Sequence, residues 1–147
     1  MGRPSEYTAD VAATICAQLV EGKSLRSICR QEEMPGLTTV FVWLQKHPDF
    51  AEQYARAREA QADTLADEIT DIADDSANDY HDRELADGSK ERVVDTEHIN
   101  RARLRVDARK WIASKLKPKK YGDIRDVTVS GEVTLVDILR KAAERGD

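Results

Sequence analysis

The apolar residues of this chain fall mostly at the three- and four-residue spacing of amphipathic helices. Across residues 8–21, Val11, Ile15 and Leu19 lie on one stripe, and Thr8 stands just before them as a capping residue. The spacing therefore predicts a first helix over this segment.

Two further short helices are predicted before the first long one. Ser24 can cap the second, and the Met-Pro-Gly run at residues 34–36 ends it. The third begins at Thr38 or Thr39, and Pro48 opens the next helix, because a first helical turn tolerates proline. This order of elements is typical of a helix-turn-helix, whose third helix enters the major groove of DNA.

In such a motif Val40, Trp43 and Leu44 face inward, whereas Phe41 and Val42 face outward with the polar positions of the third helix. The predicted DNA contacts are Lys23, Arg26, Arg30, Thr38, Thr39, Gln45 and Lys46. A three-helix bundle that never binds DNA has the same pattern, and the first 50 residues hold five basic against six acidic side chains. Display of several copies on one assembly would compensate for this weak charge.

The central part of the chain predicts a long helical hairpin. An apolar line over residues 48–74 predicts one helix. The Asp87-Gly88 pair then predicts a turn in an exposed loop that can hold a short hairpin. Asp95 or Thr96 caps a second long helix. The second helix has two apolar lines, which need two packing partners: the first long helix and another copy of the chain. The residues predicted to support oligomerisation here are Tyr54, Leu65, Ile69, Ile72, Ile99, Val106, Trp111 and Leu116.

Charge is segregated along the chain. Residues 51–98 hold fifteen acidic and five basic side chains, whereas residues 99–125 hold ten basic and two acidic ones. The basic stretch can line a channel for DNA or pair with the acidic helix of a neighbouring copy, and the acidic run beside it in the same hairpin favours the second interpretation.

The C-terminal residues predict a β-hairpin. Val127, Val129, Val133 and Leu135 alternate about a Ser-Gly turn. A lone hairpin is marginal in water, so we expect it to pair between subunits. The predicted fold is mainly α, with a helix-turn-helix domain at 1–48, a helical oligomerisation domain at 49–120 and a β segment with a short tail at 121–147.

No motif in the chain predicts catalysis. There is no GxxxxGK[ST] phosphate loop, no CxxC or HExxH, and no nucleophile beside a histidine. Cys16 and Cys29 fit small core positions, and the acidic residues at 71–82 fit a solvated surface better than a metal site. We expect no enzyme, no cofactor, no metal and no membrane span, and a cytosolic protein.

The string RxRVDxRKWxxSKLxPKxYG at residues 103–122, with the helical pattern from residue 25 onward, resembles the small subunit of tailed-phage terminases. The resemblance implies a homo-oligomeric ring of roughly eight or more subunits. It also implies recognition of the packaging initiation site on double-stranded phage DNA, delivery of that DNA to a large ATPase and nuclease subunit, and a location in the cytoplasm of the infected bacterium.

By the same resemblance, the strands containing Val127, Val129 and Val133 would join a barrel on the ring axis. The chain departs from the family at Val42, where members often have a basic residue. Two alternatives share the pattern: a dimeric helix-turn-helix repressor, which solution mass would separate from a ring, and a scaffold that binds only protein, which salt-dependent DNA binding would exclude.

Overall fold

The computed structural model describes Arg3, residues 5–123 and Arg140, Lys141, Ala143 and Glu144. Within these residues the fold is mainly helical, as predicted, with one two-stranded antiparallel sheet. The elements, in chain order, are α1 (Ala9–Val20), α2 (Leu25–Ile28), α3 (Leu37–Lys46), α4 (Pro48–Asp74), β1 (Tyr80–Glu84), β2 (Lys90–Val94), α5 (Thr96–Leu116) and α6 (Pro118–Tyr121). The strands predicted around Val127, Val129 and Val133 lie outside the described residues.

The predicted capping residues begin their helices. The Thr8 side chain accepts a hydrogen bond from the Val11 amide at 3.2 Å, and the Ser24 hydroxyl accepts one from the Ser27 amide at 3.1 Å. Asp95 caps α5 by accepting from the His98 amide at 2.9 Å. Each cap satisfies an amide that the first helical turn leaves free.

The second helix is shorter than the sequence pattern predicts. It ends at Ile28, and the backbone continues in turns in which the amide of Gln31 donates to the Ile28 carbonyl and that of Met34 to the Gln31 carbonyl. The Gln31 side chain donates to Gln18 of α1 at 2.6 Å. This link to α1 and the burial of Met34 hold the segment in turns in place of a second helical turn.

The N-terminal core joins α1, α2, α3 and the first half of α4. Its fully buried side chains include Ile15, Leu19, Ile28, Val40 and Phe50, and Ala57 closes it on α4. The long helix α4 therefore begins inside the helix-turn-helix unit and leaves it about midway along its length. The domain boundary predicted near residue 48 divides residues that share this core.

The α1–α2 turn is tied to the middle of α4 by polar contacts. Gly22 takes a φ of 93°, a conformation that suits glycine, and ends α1. Thr64 Oγ1 donates to the Val20 carbonyl at 2.7 Å, and the buried Gln61 Nε2 donates to the Lys23 carbonyl at 2.9 Å. These bonds fix the helix-turn-helix unit on the long helix.

The second half of α4 packs antiparallel against α5, and the sheet closes the hairpin. The β1–β2 ribbon turns at Gly88, which has a φ of 80°, as the Asp87-Gly88 pair predicts. Ala62, Leu65 and Ala113 are the buried side chains between the two long helices. Small residues let these helices approach closely, but they bury little apolar area.

Candidate nucleic-acid interface

Helix α3 presents an uncovered face to solvent. Val40 and Trp43 are buried beneath it, whereas Phe41 is 51% and Val42 is 38% exposed. The predicted contact residues Thr38, Gln45 and Lys46 are exposed, and Thr39 is half-buried. The inward and outward positions predicted for this helix are therefore the observed ones.

An aromatic cluster fixes the end of α3 against α4. Pro48 begins α4 immediately after His47, so the chain changes direction there without a loop. The Tyr7 ring stacks on His47 with centroids 3.7 Å apart and meets the edge of Trp43 at 5.4 Å. This cluster holds the last turn of α3 in place and leaves its outer face open.

The polar residues of α3 gather around one shallow cavity of about 300 Å³. Thr38, Thr39 and Lys46 line it together with Val42, and Ser5 and Tyr7 of the N-terminal segment form its other side. Threonine hydroxyls and a lysine ammonium can donate to phosphate or to base edges, and a valine methyl can contact the methyl of thymine. The cavity thus has the chemistry of a DNA contact surface.

Arg26 and Arg30 line a second cavity, also of about 300 Å³, at the start of α3. Arg3 and Leu37 line it as well. Among the described residues, no carboxylate forms an ion pair with any of these three arginines. The sequence pattern did not single out Arg3, because it precedes the first periodic helix and has no spacing to mark it.

Lys23 and Gln45 line neither cavity. Lys23 lies at the α1–α2 turn, where its ammonium pairs with Glu21 at 3.4 Å and donates to Gln18 at 3.1 Å. Its charge is therefore partly compensated, unlike that of the three arginines. Of the predicted DNA contacts, Lys23 is the least available to an anion.

A different kind of surface is open on α5. Leu104 is 69% and Trp111 is 64% exposed, and Ile112 lies beside them on the same outward line. The opposite line, which contains Val106 and the buried Ala113, packs toward α4. The two apolar lines predicted for this helix thus separate into one covered face and one open face, and Trp111 is not part of this chain's core.

The other residues predicted to support oligomerisation have mixed positions. Leu65 is buried, and Tyr54 packs against the N-terminal core, where its hydroxyl accepts from Arg58 at 2.8 Å. Ile99 is exposed, though less than Leu104 or Trp111. Half-buried positions are occupied by Ile69, Ile72, Val106 and Leu116. The large open apolar area therefore centres on Leu104 and Trp111.

Ion pairs join the acidic and basic helices of the same chain. Arg109 Nε lies 2.5 Å from Glu68, and Asp63 accepts from the ammonium groups of Lys117 at 3.0 Å and Lys120 at 2.9 Å. The Tyr121 hydroxyl also donates to Asp63, at 2.6 Å. Part of the basic stretch is thus paired within the chain, while its pairing with a neighbour stays a prediction.

These contacts change the acidity of the groups involved. Hydrogen bonds from Tyr121, Lys120 and Lys117 hold the pKa of Asp63 well below its usual range. The hydrogen bond to Asp63 raises the pKa of Lys120. Asp63 therefore anchors α6 to α4 as a carboxylate, a role that sequence periodicity could not indicate.

Among the described residues, no group of three or more histidine, cysteine or acidic side chains is arranged to hold a metal ion. Within the same part of the chain, no helix is long and apolar enough to cross a membrane.

A family model described as Bacteriophage Sf6, terminase small subunit-like, matches residues 7–128. The chain belongs to this terminase small subunit family. Three crystal structures of variants of the terminase small subunit gp1 of the bacterial virus Sf6 are similar to it, at 42% sequence identity over 82% of this chain and 80% of theirs, with TM-scores of 0.65, 0.65 and 0.66. No curated protein sequence matches the chain.

Membership in the terminase small subunit family confirms the resemblance seen in the sequence. The match begins at Tyr7 and includes both candidate surfaces, the outer face of α3 and the open face of α5. Arg3 precedes the matched residues.

Proposed function

We propose that this member of the terminase small subunit family is the DNA-recognition subunit of a phage packaging machine. The observation that carries the proposal is the uncovered outer face of α3, where Thr38 and Lys46 line one cavity beside two arginines of α2 and the following turn. In a helix-turn-helix this face enters the major groove, while flanking cations contact phosphate. Here Arg26 and Arg30 are the flanking cations.

The proposed recognition surface mixes polar and apolar positions. Lys46 and Gln45 can donate to base edges, whereas Phe41 and Val42 offer apolar contact to thymine methyl groups. The proposed contact set is Lys23, Arg26, Arg30, Thr38, Thr39, Gln45 and Lys46. Because a single copy carries few free cations at this face, we expect a monomer to bind DNA weakly.

We further propose that copies of the chain assemble into a ring through the helical hairpin. The exposure of Leu104 and Trp111 supports this, because aromatic and aliphatic side chains this open are costly unless a partner covers them. Identical subunits related by rotation form a closed ring when one face of each meets a different face of the next. Several recognition helices on one ring would then bind one DNA molecule with increased apparent affinity.

In this proposal the chain performs no chemistry itself. The ring binds the packaging initiation site and presents it to a large subunit that supplies the ATPase and the nuclease. The domain roles follow: residues 1–48 with the start of α4 bind DNA, and residues 49–120 assemble.

The test removes two cations from the proposed surface. The double variant Lys46→Ala, Arg30→Ala should weaken binding to phage DNA at least tenfold at about 0.1 M salt, because each lost phosphate contact forfeits released counterions. Fluorescence anisotropy with a labelled duplex measures the affinity, and native mass spectrometry measures the subunit number. The matched control is Arg83→Ala, Lys90→Ala, which removes two exposed cations of the β-ribbon.

The expected result is loss of DNA affinity in the first variant alone, with subunit number unchanged in both. Equal affinity in wild type and the Lys46, Arg30 variant would refute the DNA-binding face. A dimeric mass with binding to a palindromic duplex would identify a repressor, and absence of salt-dependent DNA binding would identify a protein-only scaffold.

A further inference from the structure

The N-terminal segment places residues at both ends of α3. Tyr7 stacks on His47 just after the helix ends, whereas Arg3 Nη1 lies 3.9 Å from the position that a β-carbon on Gly36 would occupy, just before it begins. A ten-residue helix is about 15 Å long. Four residue steps of extended chain span at most about 14 Å. The segment from Arg3 to Tyr7 is therefore long enough for its two side chains to lie near opposite ends of the proposed recognition helix.

Arg3 shares its cavity with two other cations. Arg26 and Arg30 line the same space of about 300 Å³, together with Leu37 and Cys29. Burial raises the pKa of Cys29, and the positive charge of Arg3 opposes that rise, which agrees with the close approach of the guanidinium. Three guanidinium groups thus surround one open space from two separate segments of the chain.

Like charges placed together repel unless an anion lies between them. Among the residues that the structure describes, no acidic side chain pairs with Arg3, Arg26 or Arg30, so their charge is not neutralised within this part of the chain. Guanidinium groups suit phosphate because their planar donors can form two parallel hydrogen bonds to its oxygens. The cavity therefore fits a phosphate group better than a neutral ligand.

We propose that Arg3 binds a phosphate of the DNA backbone together with Arg26 and Arg30, which makes the N-terminal segment part of the DNA-binding surface. The inference rests on the proposed DNA-binding function. A backbone phosphate is favoured over a free one because the cavity is open and lies beside the outer face of α3. A duplex seated on Thr38 and Lys46 would carry its backbone past this end of the helix.

The contact would fix the register of α3 in the groove without reading sequence. A phosphate contact carries no sequence information, so the contribution of Arg3 would be equal for specific and random duplexes. Arg3 also adds to a local positive charge. The net charge of the first 50 residues does not reveal this local charge, because the acidic residues of that segment do not pair with the three arginines.

The test is Arg3→Ala, measured by anisotropy over a range of salt concentrations. One phosphate contact per subunit should be lost. The slope of log affinity against log salt should therefore fall by about one for each subunit in contact with the duplex, and affinity should fall about eightfold per contact at about 0.1 M salt. The loss should be equal for phage DNA and a random duplex. Arg3→Lys should retain most of the salt slope, and the control Arg83→Ala, at an exposed position of β1, should retain all of it.

Circular dichroism and native mass spectrometry verify that the fold and the subunit number are unchanged, which we expect because Arg3 is exposed. An unchanged salt slope in Arg3→Ala, while Lys46→Ala, Arg30→Ala still loses affinity, would overturn this inference and leave the proposed function intact. If wild type itself fails to bind DNA, the proposed function fails first. Loss of inorganic phosphate binding in Arg3→Ala with unchanged DNA binding would show a free-phosphate site and would also overturn the inference.

Discussion

The N-terminal helical unit and the α4–α5 hairpin bury their apolar residues in opposite ways. In the first, Ile15, Val40 and Phe50 are completely buried among four helices. In the second, the buried contacts between helices involve small side chains and Leu65, while Leu104 and Trp111 are largely open. The first unit has a core of its own, and the second has an apolar face that no other described residue of the chain covers.

The difference shows that, in one short chain, the apolar residues of one unit can stabilise its own fold while those of the other are available for assembly. The N-terminal unit uses its large side chains for its own fold, because burial of each contributes about 1.5–3 kcal/mol. The hairpin is joined by ion pairs such as Arg109 with Glu68, and its largest apolar residues point away from α4. Its largely exposed pairs, such as Arg101 with Glu97, contribute little to stability. The hairpin therefore gains most from contact with another molecule.

The largest expected effect comes from removing a core side chain of the N-terminal unit, which tests whether its buried residues stabilise the fold. Phe50→Ala should lower the free energy of unfolding by about 3–5 kcal/mol, because it deletes a fully buried ring and leaves a cavity. Phe41→Ala, on the open face of α3, should change it by less than about 0.5 kcal/mol. Urea denaturation followed by circular dichroism measures both, and equal losses would show that the two rings are not differently buried.

The next test changes the open face of the hairpin. Leu104→Glu should lower the population of assembled protein at least tenfold at a given concentration, because an interface that covers this position would bury an unpaired charge. The helical signal and the unfolding of the N-terminal unit should be unchanged. Sedimentation velocity measures the assembly, with Arg83→Ala, at an exposed position of β1, as the control. Wild-type protein that stays monomeric at high micromolar concentration would contradict the assigned role of this face.

The smallest expected effect concerns the polar anchor at Asp63. Its pKa is lowered in the folded chain by Tyr121 and two lysines, so its contribution to stability is present above the unfolded pKa of about 3.9 and is lost as pH falls toward the folded value. Asp63→Asn should therefore be slightly less stable than wild type at pH 7, and the difference should shrink below about pH 4. The control is Asp67→Asn, which replaces an exposed carboxylate on the same helix with a carboxamide.

Thermal unfolding from pH 7 to pH 3 measures this effect. Protonation makes Asp63 neutral, as the asparagine of the variant is at every pH. A difference in stability between Asp63→Asn and wild type that grows as pH falls would therefore contradict the assignment.

Local rules were enough to predict most of the fold. Thr8, Ser24 and Asp95 cap helices where their side chains satisfy free amides, and Pro48 begins α4 because its missing amide costs nothing in a first turn. The inward and outward sides of α3 follow from the spacing of apolar residues alone, whereas for α5 the spacing predicts two apolar lines without showing which one faces α4. These features depend on neighbours within a few positions, so the sequence is sufficient for them.

The features that sequence analysis missed depend on distant residues. Helix α2 ends early because Gln31 bonds to Gln18, thirteen positions away. Asp63 bonds to Lys117 and Lys120 more than fifty positions later, and Arg3 lines the same cavity as Arg30 only after the chain has folded back. No local periodicity marks such pairs, so sequence analysis could predict which side of α3 is open but not which distant residues lie beside it.

Helix α4 belongs to both halves of the molecule without interruption. It is about 40 Å long at 1.5 Å per residue, and Gln61 and Thr64 bond its middle to the turn that precedes α2. In any assembly built on the hairpin, the tilt of this one rod would set the angle at which each copy offers α3. The geometry of the subunits would then set the curvature of the bound DNA. A substitution in the α4–α5 hairpin could change the orientation of every α3 helix without altering α3 itself.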